Sequence, residues 1–367
     1  MSLRAVPRLL LRLSLLTALV AALALVAGCG SDDDDTLAET TAQTTTEGAE
    51  TDTGATSGGS SLKVGLVTDI GGLDDRSFNF LASQGLDRAK EQLGVEGRVL
   101  VSRANSDYVP NLSTLAQQEY DLIIGVGFLM AESVETVAEQ FPDTNFAIID
   151  FSQAAMETKP ANVRGLLFKE QEAGYLVGYL SGLVAAESAG ANQTISSVGG
   201  QKIPPVDRYI AGFQAGAKAA NPRVTTLNGY SQDFVDQAKC KEIALNQIAR
   251  GSSVVFQVAG QCGLGALNAA REQNVSGIGV DADQGYLGDH VITSALKKVD
   301  VAVFQSIQAV EDGSFAGGED SVFDVASGGV GLGEIAASVP ADVVARVKQV
   351  QERIAAGELT DIPETVG

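Results

Sequence analysis

Residues 62–93 read LKVGLVTDIGGLDDRSFNFLASQGLDRAKEQL. The stretch opens on a short apolar run, Leu62-Lys63-Val64-Gly65-Leu66-Val67. From Phe78 onward apolar residues recur at Phe78, Leu81, Ala82, Leu86 and Ala89, the spacing of one helix face. A buried strand followed by an amphipathic helix is the expected reading. Between them lies GGLDDRSFN, Gly71 to Asn79, with two glycines, two carboxylates, a guanidinium, a hydroxyl, an amide and an aromatic ring. A plain connection needs only one or two turn residues. The glycines let the chain turn tightly, and Asp75, Asn79 and a nearby aromatic, Phe80, are expected to face a ligand at the head of the helix.

The same unit recurs along the chain. Strands are expected at 62–68, 99–103, 122–126, 145–149, 163–168, 194–198, 224–227, 253–258, 278–280 and 291–294, with helices between most of them. Nearly all-apolar strands alternating with amphipathic helices define an α/β class with parallel sheets covered on both faces. The units are too many for one compact sheet, so two doubly wound lobes are expected, with a boundary near 163–172. In such sheets ligands bind beyond the carboxyl ends of the strands. Residues following strands are therefore the candidates: Asp150 after 145–149, Phe234 after 224–227, Gly260 in AGQCGLGAL, Asp281 and Asp283 in DADQG, and Lys297 after 291–294. A cleft between two facing lobes would gather them.

Several chemistries are excluded by pattern. Gly260, Gly263 and Gly265 miss the register of a dinucleotide loop. DADQG is too short for a calcium loop, and Ile292 stands where the twelfth-position glutamate belongs. With His290 as the single histidine, a histidine triad or zinc site is hard to assemble, and no cofactor or metal is expected. Asp75 and Asp281 could flank a glycosidic bond, which keeps a glycoside-cleaving enzyme as a minor alternative.

The N-terminus carries Arg4, Arg8 and Arg12, then an apolar run to Val26, then Ala27-Gly28-Cys29. These are the proportions of a secretory signal, 1–28, and small residues before a cysteine resemble the lipobox of bacterial lipoproteins. Cys29 is the expected lipidation site. Residues 29–61 are acidic and Thr-rich with few apolar side chains, a composition that cannot bury enough surface to order itself. They read as a tether. The formal net charge is −21; the signal contributes +3 and the tether −8, which leaves −16 on the body. Such a body disfavours nucleic acid and anionic membrane surfaces, so membrane attachment would come from lipid. Cys240 and Cys262 lie near one sheet edge in this scheme. Export favours a disulfide between them, and two small buried residues are the alternative.

Taken in order, GLVTDIGGLDDRSFNFLASQGL, YDLIIGVGFLMAESVETVAEQFPDTNFAIID, NVRGLLFKEQEAGYLVGYLSGL, FQAGAKAANP and IGVDADQ…VITSALKKVD resemble the basic membrane protein family. These are substrate-binding lipoproteins of ABC importers, and one branch binds purine nucleosides. The resemblance covers 62 to about 333. It implies a type I periplasmic-binding fold, two α/β lobes joined by a hinge of three crossovers and closing on a ligand. The domain scheme is then lobe 1 at 62–168, completed by about 290–340, lobe 2 at 169–289, and a C-terminal helix and tail at 341–367. The family's site residues fall on Asp75 to Asn79, Asp150, Phe234, Gly260, either Asp281 or Asp283, and Lys297. One departure stands out: family members carry an aromatic where this chain has Ser83. Either Phe80 takes over the stacking or the pocket holds something other than a purine. The resemblance implies a monomeric, extracytoplasmic, lipid-anchored binder of a nucleoside-like small molecule that hands it to an ABC importer permease. A sugar, a flavin or another small metabolite, taken for transport or for a sensor, is the alternative cargo.

Overall fold

The computed structural model describes residues 62–187 and 193–367. The signal, Cys29 and the tether lie outside the described residues. Two six-stranded sheets carry the fold. The first is built from β1 (Lys63–Val67), β2 (Glu96–Leu100), β3 (Leu122–Gly125), β4 (Asn145–Ile149), β5 (Val163–Phe168) and β11 (Asp320–Phe323), in the order β11-β5-β4-β3-β1-β2. The second contains β6 (Thr194–Gly199), β7 (Thr225–Tyr230), β8 (Ser252–Val258), β9 (Ser276–Asp281), β10 (Val291–Lys297) and β12 (Val330–Leu332), in the order β12-β10-β9-β8-β6-β7. All pairings are parallel except β12 against β10. Both lobes therefore repeat one doubly wound topology, with strand order reversing between β1 and β3 and again between β6 and β8.

Burial follows from that topology. β3 reads LIIG and β6 reads TISSVG, and both are buried along their whole length. The serines of β6 are tolerated because they are bonded: Ser196 Oγ lies 2.8 Å from Ser252 Oγ, and Ser197 Oγ donates to Asn228 Oδ1 at 3.1 Å.

The first lobe carries α1 (Phe78–Leu93), α2 (Tyr108–Gln117), α3 (Ala131–Gln140) and α8 (Val299–Glu311), with α8 packed on α1. The second carries α4 (Glu170–Glu187), α5 (Pro204–Ala220), α6 (Gln237–Ala249), α7 (Gly260–Glu272) and α9 (Ala341–Ala355), with α9 packed on α4. Gly174, Gly178 and Gly182 repeat every fourth residue of α4 and face Gly212 and Gly216 of α5. A Cβ on Gly178 would strike the carbonyl oxygen of Phe213, and one on Gly216 the carbonyl of Tyr175. The two backbones touch, and only glycine allows it.

The chain passes between lobes at β5–α4, β10–α8 and β11–β12. The boundaries expected from sequence need correction here. β10 stays in lobe 2, so only α8 and β11 return to lobe 1, and β12 crosses back. The passages are stitched together: Lys169 Nζ lies 3.0 Å from Asp324 Oδ2, and the Val325 amide donates to Glu172 Oε2 at 2.8 Å. The Lys298 amide donates to the Gly329 carbonyl at 2.8 Å.

A disulfide joins Cys240 and Cys262, whose Cα atoms are 5.6 Å apart, in the first turns of α6 and α7. Their sequence separation is 22, a loop whose closure should stabilise the fold by roughly 3 kcal/mol. Replacing both cysteines by alanine should lower the chemical-denaturation midpoint accordingly. An unchanged midpoint would show that the bridge adds nothing to stability.

Candidate functional site

A cavity lies between the lobes at the carboxyl ends of both sheets, the place where doubly wound sheets bind ligands. Lobe 1 lines it with Asp69, which follows β1, with Asp75, Phe78 and Asn79 at the head of α1, with Gly127 and Phe128 after β3, and with Asp150 after β4. Lobe 2 contributes Tyr209 from α5, Phe234 after β7, Ala259 and Gly260 after β8, and Asp281 and Lys297 closing β9 and β10. The cavity thus sits over both strand-order reversals.

The backbone is bent to this purpose. Asp150 and Asp281 adopt φ values of 72° and 60°, a left-handed conformation that non-glycine residues seldom take and that collects at functional sites. Gly127, at φ 115°, abuts a carboxylate: a Cβ there would come within 2.7 Å of Asp69 Oδ2.

Each polar group has a definable remaining capacity. The Asp75 carboxylate accepts from the amides of Ser77 (3.0 Å), Asn79 (2.7 Å) and Phe80 (3.1 Å) and from Asn79 Nδ2 (3.0 Å). Four donors fill a carboxylate's lone pairs. Asp75 therefore caps α1 and has no free oxygen to act on a ligand, which removes the pairing of Asp75 with Asp281 as glycosidase carboxylates. Asn79 Oδ1 accepts the Asp69 amide at 2.8 Å, so one Nδ2–H remains. Asp69 Oδ1 takes the Tyr108 hydroxyl and, at 2.7 Å, the Ile70 amide, which leaves Oδ2 open. Burial pushes the Asp69 pKa up to about 6.

A buried ion cluster closes the hinge side. Lys297 Nζ lies 2.6 Å from Asp150 Oδ1 and 2.9 Å from Glu170 Oε1, and Arg208 Nη1 lies 3.1 Å from Glu170 Oε2. Its ammonium also stands 5.1 Å from the Phe78 ring centroid and 4.8 Å from that of Phe168. Burial alone would lower the Lys297 pKa, but Asp150 and Glu170 outweigh it and the net direction is up. Burial raises the Asp150 pKa despite Lys297. It also pushes Asp281 up to about 6. Asp281 accepts Ser77 Oγ at 2.8 Å on Oδ2 and the Tyr209 hydroxyl at 3.2 Å on Oδ1.

Of the residues singled out by sequence, the structure brings Asp75, Asn79, Asp150, Phe234, Gly260, Asp281 and Lys297 to one cavity. Phe80 and Asp283 are not among them. Residues two apart on a helix point to opposite sides. Phe78 therefore faces the cavity, while Phe80 is 38 % exposed beside Tyr286 on a separate surface depression. Asp283 accepts the amides of Gly285 (3.2 Å) and Glu334 (2.8 Å) and holds the loop after β9. Ser83 is buried and donates to the Phe80 carbonyl at 2.8 Å. Ser83 does not line the cavity, and the ring at the head of α1 that does is Phe78. Asp69, Glu170 and Tyr209 were not picked out as site residues, and Phe78 was covered only as part of the Asp75–Asn79 motif. Asp69 was detectable, since it stands immediately beyond the first strand, whereas Tyr209 lies inside a helix with no local signal. Among the described residues no group of three or more His, Cys, Asp or Glu side chains is placed to hold a metal ion.

Two lobes of this topology around a central cleft are the architecture of ABC-transporter solute-binding proteins. The chain superposes on such a protein from Aeropyrum pernix K1 with a TM-score of 0.75 at 29 % identity, covering 82 % of this chain and 92 % of that one. It also matches one from Conexibacter woesei DSM 14684 with a TM-score of 0.67 at 28 % identity, covering 83 % and 100 %. Residues 62–362 match the Bmp family, described as ABC transporter substrate-binding protein, PnrA-like, and the chain belongs to that family. It is 33 % identical over 352 residues to the ABC transporter nucleoside-binding protein BmpA of Lactococcus lactis, with 90 % of this chain and 93 % of that one aligned. It is 33 % identical over 276 residues to basic membrane protein A of Borreliella burgdorferi, covering 74 % and 78 %. It is a substrate-binding protein of the ABC-importer type.

Proposed function

We propose that the cleft captures a nucleoside and that the protein delivers it to an ABC importer permease as an extracytoplasmic monomer anchored through lipid on Cys29. The observation that carries the ligand reading is the pair Phe78 and Phe234, one ring from each lobe on a single cavity whose polar groups are carboxylates, two amides, the Tyr209 phenol and one paired ammonium. Flat, neutral bases suit ring faces, and base–aromatic stacking contributes roughly 1–3 kcal/mol per base. Asp281 keeps a free lone pair on each oxygen and Lys297 keeps one N–H, a combination that fits sugar hydroxyls. Asp69 Oδ2 and the last Asn79 N–H remain for the base edge. The name of the Lactococcus relative supports the same ligand class, and relatives named as lipoproteins support the anchor.

Phe234→Ala tests this reading. It should weaken nucleoside binding by about 10- to 100-fold in equilibrium titration while leaving the thermal midpoint of the free protein nearly unchanged, since Phe234 is only part-buried. Equal affinities of the variant and the parent would contradict the stacking arrangement.

A further inference from the structure

Ser77 stands at the residue before α1, where a serine side chain ordinarily accepts a helix amide. Here it does not. Asp75 has taken over the capping, accepting the amides of Ser77, Asn79 and Phe80. The freed hydroxyl turns toward the other lobe, 2.8 Å from Asp281 Oδ2 and 3.2 Å from the Val280 carbonyl. Ser77 is fully buried and Asp281 is 8 % exposed.

We propose that Ser77 is a positioning residue that clasps lobe 1 to the ligand-reading carboxylate of lobe 2, so that closure and ligand recognition share Asp281. The inference rests on the cleft being the ligand site. A hydroxyl has one proton, and the shorter contact directs it to Asp281. With Tyr209 on Oδ1 and Ser77 on Oδ2, the carboxylate is held from both sides, and each oxygen keeps one lone pair for the cleft. Opening the lobes would exchange this bond for water on Oδ2, and a hydrogen bond to a charged group is net favourable over its hydrated alternative. The clasp therefore favours the closed arrangement before any ligand arrives, and a hydroxyl donor from the ligand adds to it. The clasp must break before a bound ligand can leave, so its loss speeds release.

The test uses the full chain with spin labels at Glu132→Cys on α3 and Ala219→Cys on α5, both exposed and on different lobes. Without ligand, Ser77→Ala should shift the interlobe distance distribution to longer values, and Ser77→Thr, which keeps the hydroxyl, should restore it. Asp281→Asn should keep the short distance, since an amide still pairs with Ser77, while weakening inosine binding. In stopped-flow, Ser77→Ala should release inosine about tenfold faster than the parent. A Ser77→Ala protein with the parent's distance distribution and release rate would overturn the clasp. If Ser77→Ala opens the lobes but the parent protein binds no inosine, the clasp holds and the nucleoside reading falls.

Discussion

Lys297→Met should be the most damaging single change in the cleft. The ammonium is buried between Asp150 at 2.6 Å and Glu170 at 2.9 Å. Removing one partner of a buried ion pair leaves an uncompensated charge, which costs about 3–5 kcal/mol. The loss should depend on pH with a definite sign. Burial raises the folded pKa of Asp150 above its unfolded value, and loss of Lys297 raises it further. A carboxyl raised in this way is favoured when protonated, so its penalty is present above the folded pKa and relieved as pH falls towards the unfolded value. Asp69 and Asp281, pushed up to about 6, add the same trend to the parent protein. Thermal unfolding should therefore show a large deficit for Lys297→Met at pH 8 and a much smaller one near pH 5. An equal deficit at both values would mean that the cluster carries no net charge to relieve.

Gly178→Leu should cost about 3 kcal/mol or prevent folding, because the added side chain must enter a contact in which α4 already touches the Phe213 carbonyl of α5. Gly178→Ala separates the causes. Helix propensity favours alanine over glycine by up to about 1 kcal/mol, so any net loss must come from the steric term and understates it by that gain. A denaturation midpoint that rises for Gly178→Ala would contradict the backbone contact.

The repeating architecture was legible because parallel, doubly covered strands are short and almost wholly apolar, and β1, β3, β4, β5 and β8 lie close to their expected places. No helix was expected over 108–117, yet α2 forms there with Pro110 in its first turn, where proline is tolerated. β11 and β12 have four and three residues, and only pairing with β5 and β10 defines them as strands. The placement of β10 in lobe 2 was hidden for a related reason: a strand's sequence does not state which sheet it joins. Within the site, residue types were readable and their occupancy was not. Asp75 was recognisable as a cleft residue, but its role as a helix cap depends on four hydrogen bonds. Phe78 and Phe80 are chemically alike, and only the helix phase separates them. Asp281 and Asp283 differ by two positions. One faces the cavity, while the other ties down a loop.

Calorimetric titration of the purified protein with a matched set of compounds tests the central claim most directly: a purine nucleoside, its 5′-monophosphate, the free base, a pentose and a hexose. The carboxylates Asp69, Asp150 and Asp281, with Lys297 already paired, predict one nucleoside bound per protein and rejection of the monophosphate. They also predict far weaker binding of the base or sugar alone. Tight binding of a sugar with no heat from any nucleoside would contradict the account.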